Sequence, residues 1–396
     1  MSWPSVKFKD VATVITGSTP KKNDENYDGD VPFVTPGDLG ELAEISNAKV
    51  MLTKAGAKSA RLLPANAVLV CCIGATIGKT GIAVVPVVTN QQINSLVFDE
   101  TKVFPKYAYY FCKTLTPSLK HKSTSTTMPI VNKSSFSEIE IPLPPLREQK
   151  RIAAILDKAD TIRRKRQQAI QLADDFLRAI FLDKFGDPVS NPMRWEVKPL
   201  KDLSLKIHSG NTPKGGKENY VASGVIFLRS QNVWKRKIIL DDVAYIDEAT
   251  HRKMTSSSLR NQDILMTKTG RFNTENSSLG RAAMFLGEDD SANVNGHVYL
   301  IRLDEAVDKQ YILFILTMPE YYEYIRSVCV GGIDKRQLNK EHLENFPIIF
   351  PSIDLQQKFS RTMSMVDEVK IKAADALQKA EHMCDALSQK AFPSRL

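Results

Sequence analysis

The chain has 396 residues, of which 42% are hydrophobic and 25% are charged, and its mean hydropathy is −0.24. A chain of this length exceeds one typical hydrophobic core, so two or more domains are expected. The net charge of +9 and the pI near 9.1 favour a polyanionic partner such as nucleic acid, and the apolar runs are too short to span a bilayer.

The N-terminal stretch "MSWPSVKFKD" has no apolar signal region, which predicts a cytoplasmic protein. Five cysteines show neither C-x-x-C nor Cys/His ligand spacing, so we expect no disulfide framework and no metal site. The six histidines are scattered along the chain, and no residue is assigned a catalytic role.

Two turns that contain glycine lie in the first half of the chain. In "GSTPKKNDENY", Gly17 begins a G-x-T-P turn, as Gly210 does in the second half, and a turn before Thr-Pro favours a residue tolerating positive φ. The stretch "GATIGKT", from Gly74 to Thr80, is similar to a phosphate-binding loop, but Ile73 stands where that loop requires glycine. The Val-rich segment that follows contains Pro86 and favours a strand over a helix. We therefore predict a strand-turn-strand element and no nucleotide site.

A long helix is predicted for residues 146–186. This segment contains no proline and few β-branched residues, and it ends at Gly186 before Asp187-Pro188, a typical C-terminal stop. Its apolar residues recur every three or four positions, as in a coiled coil. At 1.5 Å per residue, ~40 residues make a rod of about 60 Å.

The second half of the chain repeats the first. "GSTPKKNDENY" at position 17 reappears as "GNTPKGGKENY" at position 210, with seven of eleven residues identical. "IGKTGIAV" aligns with "LGRAAMFL", and from Asn132 onward the halves align without gaps at an offset of 207. Repetition on this scale predicts two similar units, each a mixed domain followed by a long helix.

Both helices carry one matched apolar seam. Its members are Ile152, Leu156, Ala159, Ile170, Ala173, Leu177 and Ile180, matched at the same offset by Phe359, Met363, Val366, Leu377, Ala380, Cys384 and Leu387. Arg163 and Lys370 interrupt the seam at equivalent positions. Either they extend their charges into solvent, or they fix the register or bind a partner.

The order domain, helix, domain, helix predicts an α+β fold with a pseudo-twofold internal repeat. If the first helix leads away from the first domain and the second helix returns, the two pair antiparallel with one domain at each end. We therefore predict mixed α/β domains at residues 1–145 and 187–352, held apart by antiparallel coiled-coil helices at 146–186 and 353–396. Duplex DNA suits such a chain, because half-sites repeat along its helical lattice.

Two motifs give the chain a specific resemblance. "IPLPPLREQKRIAAILDKADTIRRKRQQAI" opens the first long helix, and "WEVKPLKDL" is followed by I-x-x-G-x-T-P. Together they resemble the specificity (S) subunit of type I restriction-modification systems, over essentially the whole chain. The second helix departs from the pattern, because Leu355 stands where the first helix has Glu148. The two helices therefore need not contact partners identically.

The resemblance implies two target recognition domains, each reading one half of a bipartite, asymmetric double-stranded DNA target. It implies two conserved helices that set the spacing and dock two modification subunits, which restriction subunits then join, in a bacterium or archaeon. S-adenosylmethionine for adenine methylation, ATP and Mg²⁺ are expected on these partners, with no cofactor and no catalysis on this chain. The sequence agrees, since it contains neither an N-P-P-[Y/F] methyltransferase motif nor a P-loop.

Cationic and polar side chains near turns are the candidate DNA contacts, because phosphates bind cations and base edges bind amides, guanidinium groups and hydroxyls. In the first domain they are Thr19, Lys21, Lys22, Thr35, Lys79, Gln91 and Gln92. In the second they are Thr212, Lys214, Arg229, Ser230, Gln231, Asn232, Lys268, Arg271, Arg281 and Arg336. For each of them, a solvated surface charge or a turn residue is the alternative.

Several segments differ between the halves while framework residues match. Residues 35–38, "TPGD", align with 229–232, "RSQN", and "CIGATIGKTG" aligns with the longer "KTGRFNTENSSLGRA". "HKSTSTTMPIV" from His121 and "VCVGGIDKRQL" from Val328 also differ. Such divergence is expected if each domain reads a different half-site, and neutral loop drift is the alternative.

A second apolar face flanks the seam of the first helix at Ile155, Ile162, Phe176 and Phe181, and we predict that it contacts a modification subunit. Two other functions stay open: an enzyme acting alone through an unrecognised site, and a coiled-coil scaffold that binds DNA without sequence preference. Divergence confined to loops weighs against the scaffold.

Overall fold

The computed structural model describes residues 3–40, 44–121, 130–213, 215–272, 274, 276–332 and 334–392. The chain divides into two compact units. The first combines Met1–Gln168 with Ala373–Leu396, and the second is Ala169–Lys372. Each unit therefore contains one mixed domain and a part of both long helices.

Short strands and helices alternate in the first unit before its long helix begins. Its strands are β1 (Ser5–Lys7), β2 (Ala12–Thr16), β3 (Tyr27–Val34), β4 (Glu44–Ile45), β5 (Val50–Leu52), β6 (Leu62–Leu63), β7 (Val68–Cys71), β8 (Thr80–Ala83), β9 (Val87–Thr89), β10 (Ile93–Phe98) and β11 (Glu140–Pro142). Its helices are α1 (Phe8–Val11), α2 (Lys54–Ser59), α3 (Pro105–Thr114), α4 (Thr116–His121) and α5 (Lys133–Ser137), followed by the long helix α6 (Leu146–Phe185).

Two sheets form the core of the first domain, with strand orders β2-β10-β7-β8-β4 and β5-β3-β9-β6. Every residue of β7 is buried. Val68 and Val70 pack in the cluster that includes α3, whereas Leu69 and Cys71 pack in a second cluster on the opposite face. Because both faces of the sheet are covered at β7, the sequence of this strand is a continuous apolar run rather than an alternation of apolar and polar residues.

The second unit contains a similar mixed domain. Its strands are β12 (Val197–Pro199), β13 (Ser204–Ser209), β14 (Val225–Leu228), β15 (Val233–Trp234), β16 (Lys237–Ile238), β17 (Ala244–Ile246), β18 (Ile264–Thr267), β19 (Thr269–Arg271), β20 (Ala282–Met284), β21 (Ala292–Val294), β22 (Val298–Leu303), β23 (Val330–Gly331), β24 (Lys335–Gln337) and β25 (Pro347–Ile349). Its helices are α7 (Glu248–Lys253), α8 (Lys309–Thr317), α9 (Pro319–Val328) and α10 (Lys340–Glu344), followed by the long helix α11 (Ile353–Ala391). None of the helices in the described ranges is long and apolar enough to cross a membrane.

The internal repeat extends to sheet topology. The order β13-β22-β18-β20 matches β2-β10-β7-β8, and β17-β14-β21 matches β5-β3-β9. In both domains one pair of strands is parallel, β3 with β9 and β14 with β21. The predicted α+β fold built from two similar domains is confirmed.

The long helices pair antiparallel inside each unit, as predicted. In the first unit, Ile152 and Leu156, near the start of α6, share a cluster with Leu387, near the end of α11. In the second unit, Leu177, near the end of α6, shares a cluster with Phe359, near the start of α11. All the predicted seam residues are buried or half-buried.

Charged residues fill the seam where apolar residues thin out. Arg163 Nη2 lies 3.0 Å from an oxygen of Asp160, which is 4% exposed. Burial alone would raise the pKa of Asp160, but Lys113, Arg163 and Arg164 outweigh burial and hold that pKa below its usual value. Lys370 Nζ lies 2.5 Å from Asp174. Both seam cations are therefore ion-paired within the protein rather than simply solvated.

A buried glutamine fixes the start of each long helix. Gln149 Nε2 donates to the Pro144 carbonyl at 2.8 Å, and Gln149 Oε1 accepts from the Phe104 N–H at 2.8 Å. Gln356, which is equivalent in the repeat, donates to the Pro351 carbonyl at 2.8 Å. Both glutamines are fully buried, so this part of the helix-opening motif has a structural role.

Candidate nucleic-acid interface

The G-x-T-P turn packs tightly against the main chain in both domains. A Cβ atom on Gly17 would lie 2.2 Å from the Asn90 carbonyl oxygen, and one on Gly210 would lie 2.2 Å from that of Asn295. Neither glycine has a positive φ. The prediction that positive φ explains these glycines is therefore wrong, and close backbone approach is the reason.

The threonine of the same turn contacts a neighbouring loop. Thr19 Oγ1 donates to Gln91 Oε1 at 2.7 Å. In the second domain the Gly296 N–H donates to Thr212 Oγ1 at 3.3 Å. The loop with Gln91 follows β9, and the loop with Gly296 follows β21. The G-x-T-P turn therefore lies beside this loop in each domain.

The parallel strands bring further candidates to the same edge, because the carboxyl ends of parallel strands meet. β3 and β9 end before Thr35 and Gln91, and the Asn90 N–H donates to the Val34 carbonyl at 3.2 Å. β14 and β21 end in the same way before Arg229 and the loop containing Gly296. We call this the recognition edge: residues 17–22, 35–38, 73–79 and 90–92 in the first domain, and 210–213, 229–232, 268–272 and 295–297 in the second.

The stretch "GATIGKT" forms the predicted strand-turn-strand element. It links β7 to β8, which pair antiparallel. Gly74 has φ +87° and Gly78 has φ +91°, so both supply left-handed backbone for the turn. Lys79 is exposed at the end of this turn, as are Lys21 and Lys22 near the G-x-T-P turn. Gln92, half-buried, accepts from Asn90 Nδ2 at 3.0 Å.

The divergent segments 35–38 and 229–232 form the same 3₁₀ turn. Asp38 Oδ2 accepts from the Thr35 N–H at 2.8 Å, and Asn232 Oδ1 accepts from the Arg229 N–H at 2.9 Å. Asn232 is 1% exposed, and the 14% exposed side chain of Arg229 donates to the Asp242 carbonyl at 2.7 Å. Their burial argues against the predicted DNA contacts at Arg229 and Asn232.

The two neighbours of these residues stay accessible. Ser230 is half-buried and Gln231 is exposed. Gln231 Nε2 donates to an Asp242 carboxylate oxygen at 2.5 Å. The divergence at this turn therefore includes accessible side chains, and both stay predicted DNA contacts.

Lys268 and Arg281 also occupy protein sites. Lys268 Nζ donates to Ser209 Oγ at 2.9 Å, and burial lowers the pKa of this lysine. Arg281 is 7% exposed, donates from Nε to the Ser277 carbonyl at 2.8 Å and stacks on Trp234 at 3.8 Å. The burial of Arg281 argues against its predicted DNA contact, whereas Lys268 is half-buried and its DNA contact stays a prediction.

The structure joins two segments that were predicted separately as divergent. β19 pairs with β24, and β24 pairs with β23, so residues 269–271, 330–331 and 335–337 lie in one sheet. Arg271 is exposed and Arg336 is half-buried on this sheet. Lys214 and loop residues 122–129 lie outside the described residues, so their predicted roles stay predictions.

A basic hairpin lies outside the residues predicted to bind DNA. β15 and β16 are joined by Lys235 and Arg236, and Lys235 and Lys237 are exposed. Arg236 Nη2 lies 2.8 Å from Asp367 on α11, which fixes the hairpin to the long helix. A cleft of about 300 Å³ beside it is lined by Trp234 and both lysines. The run of cations in "WKRK" was the available signal.

The predicted partner face is only partly exposed. Ile155, Ile162 and Phe176 are 40%, 37% and 55% exposed. Phe181 is fully buried among aromatic side chains of α8 and α11, so the prediction that it contacts a partner is wrong. Within the described ranges, His, Cys, Asp and Glu side chains form no group that could hold a metal ion.

The sequence profile of the type I restriction modification DNA specificity domain matches residues 2–172 and 192–381. The chain belongs to the type I restriction-modification DNA specificity family. Each matched range of this family covers one domain with most of the long helix that follows it. The profile therefore detects the same repeat that the strand order shows.

Similar proteins of the family extend along the whole chain. The specificity subunit of type I restriction enzyme MjaIX from Methanocaldococcus jannaschii is 29% identical, over 98% of this chain and 92% of its own length. The MjaVIII specificity subunit from the same organism is 26% identical, over 96% and 90%.

A crystal structure of the type I S subunit from M. genitalium superposes with a TM-score of 0.58 at 16% identity, covering 100% of this chain and 97% of that one. A structure described for assembly and conformational transition of the type I system gives a TM-score of 0.54 at 16% identity, covering 99% and 97%. At such identities the likeness shows a shared fold.

Proposed function

We propose that this chain is the DNA sequence-specificity subunit of a type I restriction-modification complex, and that each domain reads one half of a bipartite, asymmetric target. The observation that carries the proposal is the duplicated recognition edge. The same backbone elements meet there in both domains, while the side chains they present differ. A shared frame with different side chains suits two related but unequal DNA blocks.

Charge supports a nucleic-acid ligand. The chain has a net charge of +9, and Lys21, Lys22 and Lys79 lie exposed on the first recognition edge. Arg271 lies exposed on the second recognition edge, and exposed Lys335 lies opposite it in the sheet. Cations of this kind release counterions from DNA and supply affinity that does not depend on sequence, whereas the polar neighbours supply discrimination.

The helices are proposed to set the spacing of the blocks and to dock two modification subunits. Ile162 on α6 and Val369 on α11 are equivalent in the repeat and are 37% and 62% exposed. Phe176 and Met383 form a second equivalent pair, 55% and 44% exposed. Matched exposed apolar positions on both helices support two similar docking sites for two copies of one partner.

We further propose that catalysis belongs to the partners. The modification subunits methylate adenine with S-adenosylmethionine, and restriction subunits that join later depend on ATP and Mg²⁺. The complex acts in the cytoplasm of a bacterium or archaeon. The stretch most similar to a nucleotide site, "GATIGKT", leads into β8. Without a following helix, its N–H groups do not form the phosphate site of a P-loop.

Genome-wide methylation tests this proposal. The chain is co-expressed with its cognate modification subunit in a host without adenine methylation, and modified bases are read by single-molecule sequencing. We expect one split motif, with two defined blocks around an unspecified spacer. No methylation from a complex that assembles and binds S-adenosylmethionine would refute the proposal, as would turnover of DNA by the purified chain alone.

A further inference from the structure

Arg336 has an unusual position in the sheet β19–β24–β23. Its cross-strand neighbours are Gly270 on one side and Gly331 on the other. Gly270 is closely packed, since a Cβ atom there would lie 2.3 Å from the Leu279 nitrogen. Arg336 therefore has no cross-strand side chain beside it on either neighbouring strand.

The next pair along the same strands consists of two cations. Arg271 lies directly opposite Lys335, and both are exposed. Like charges at directly opposed positions destabilise a sheet. An arrangement that costs stability in the free protein points to a polyanionic ligand that removes the repulsion on binding.

Phe272 holds the Arg336 guanidinium by stacking. The guanidinium carbon of Arg336 lies 3.7 Å from the ring centroid, and that of Arg326 lies 4.5 Å away. Arg326 is itself fixed, because it donates to the Phe272 carbonyl at 3.0 Å and pairs with Glu323 at 3.0 Å. The Phe272 ring thereby contacts both arginines.

Arg336 differs from Arg326 in its hydrogen bonding. Arg336 Nε is buried, and among the described residues it has no acceptor within hydrogen-bond distance. The side chain is thus oriented by an aromatic face and not by a carboxylate. Stacking of this kind fixes the plane of a guanidinium while leaving its terminal donors for a planar, two-acceptor ligand.

The first domain has no counterpart of this sheet among its described residues. The equivalent segments meet there in a single bridge, between Ile73 and Ile130. The arginines and Phe272 therefore belong to the second domain alone, as expected for a feature that reads only one of two DNA blocks.

We propose that the sheet β19–β24–β23 is the base-reading element of the second domain. This inference rests on the proposed function. Arg336 donates to the O6 and N7 acceptors of a guanine in the major groove, which accommodates a β-ribbon. Arg271 and Lys335, the neighbouring cross-strand pair, contact phosphates, and Phe272 is a positioning residue that fixes the plane of Arg336.

Base discrimination by the assembled complex tests the inference. Binding by the complex with its modification subunits is measured on a panel of duplexes carrying each single-base substitution in both blocks. R336K keeps the charge but loses the planar fork, and F272L keeps an apolar side chain but loses the aromatic face. We expect both to lower discrimination by roughly 5- to 150-fold at the same one or two positions of one block.

The matched control is R252K, at an exposed arginine of α7 in the same unit, which should retain the wild-type pattern. K335A should weaken binding to all sequences and reduce the salt dependence by about one phosphate. Thermal midpoints of all variants confirm that the second unit stays folded.

Two outcomes overturn the inference. R336K with unchanged discrimination at every position would show that Arg336 supplies charge only. A uniform loss over both blocks in a folded R336K complex would show that it acts through phosphate or assembly. If the wild-type complex gives a split motif, either result refutes only this inference. If the wild-type complex gives no motif, the proposed function itself is refuted.

Discussion

Phe181 and Phe176 lie on the same helix, five residues apart, but one is buried and the other is exposed. Phe181 is fully buried, with ring centroids of Phe185, Phe314 and Phe359 at 5.0, 5.4 and 5.4 Å. Tyr311 stacks on the same ring at 5.8 Å. Residues from α6, α8 and α11 meet there, so removing the ring leaves a cavity that no single element can close.

The expected cost of F181A is therefore that of a large core truncation, about 3–5 kcal/mol. For a unit of about 200 residues, each 1 kcal/mol lowers the melting temperature by ~2–4 °C, which gives a shift of roughly 6–20 °C. Phe176 is 55% exposed, so F176A should change the free energy of unfolding by no more than about 0.5 kcal/mol.

Unfolding in urea, followed by tryptophan fluorescence, measures both variants. Trp195 lies 6.3 Å from Phe185 between ring centroids and reports on this cluster. Equal midpoints for F181A and F176A would refute the assignment of Phe181 to the core. Co-purification with the modification subunit provides the second comparison: F176A should weaken assembly without lowering the midpoint.

Four further predictions follow from contacts described above. Q149L leaves the Phe104 N–H and the Pro144 carbonyl without their partner, so it should destabilise the first unit by about 1–3 kcal/mol in urea unfolding, whereas Q167L at an exposed site should not. G17A and G210A should each lower the melting temperature, because the added Cβ would lie 2.2 Å from a backbone oxygen. The control G37A should be tolerated, because its Cβ would meet only Thr35 Oγ1 at 3.7 Å. Equal shifts in melting temperature for all three variants would contradict the close-approach argument. The pKa of Asp160 is lowered in the folded chain, so its ion pairs stabilise the fold fully above about pH 5 and are lost as the pH falls below about 4. The difference in unfolding free energy between wild type and D160N should therefore shrink over that range. A difference that stays constant with pH would refute this prediction. The double variant I162D/V369D should abolish co-purification of the modification subunit, while each single variant should retain part of it. The control is K379D, at an exposed site of α11.

The helical parts were predictable because their signal is local. Seam residues recur with the helical period, and the offset of 207 residues transfers them from α6 to α11. The prediction for Phe181 is wrong because this residue lies beside the seam. Its burial depends on α8, which is more than 120 residues away in sequence and invisible to helical periodicity.

The recognition edge was predictable in outline but not in detail. Thr19 and Thr212 were found through a repeated motif, and both contact the loop after a parallel strand. Residue type alone could not show that Arg281 is buried in the protein, because a buried cation and a DNA-binding cation have the same sequence signal. Gly17 was located correctly but for the wrong reason, since backbone clashes arise from segments distant in sequence.

The division of the chain into units determines the order in which they can be completed during synthesis. The second unit is continuous, from Ala169 to Lys372, whereas the first requires residues after 372. Phe392 packs against Tyr107 and Phe111, with ring centroids at 5.3 and 5.5 Å. The domain that leaves the ribosome first is therefore finished last. At ~5–20 residues per second, its apolar surface waits roughly 10–40 s for the helix that covers it. A nascent chain thus exposes that surface to chaperones and to aggregation for longer than any part of the second domain.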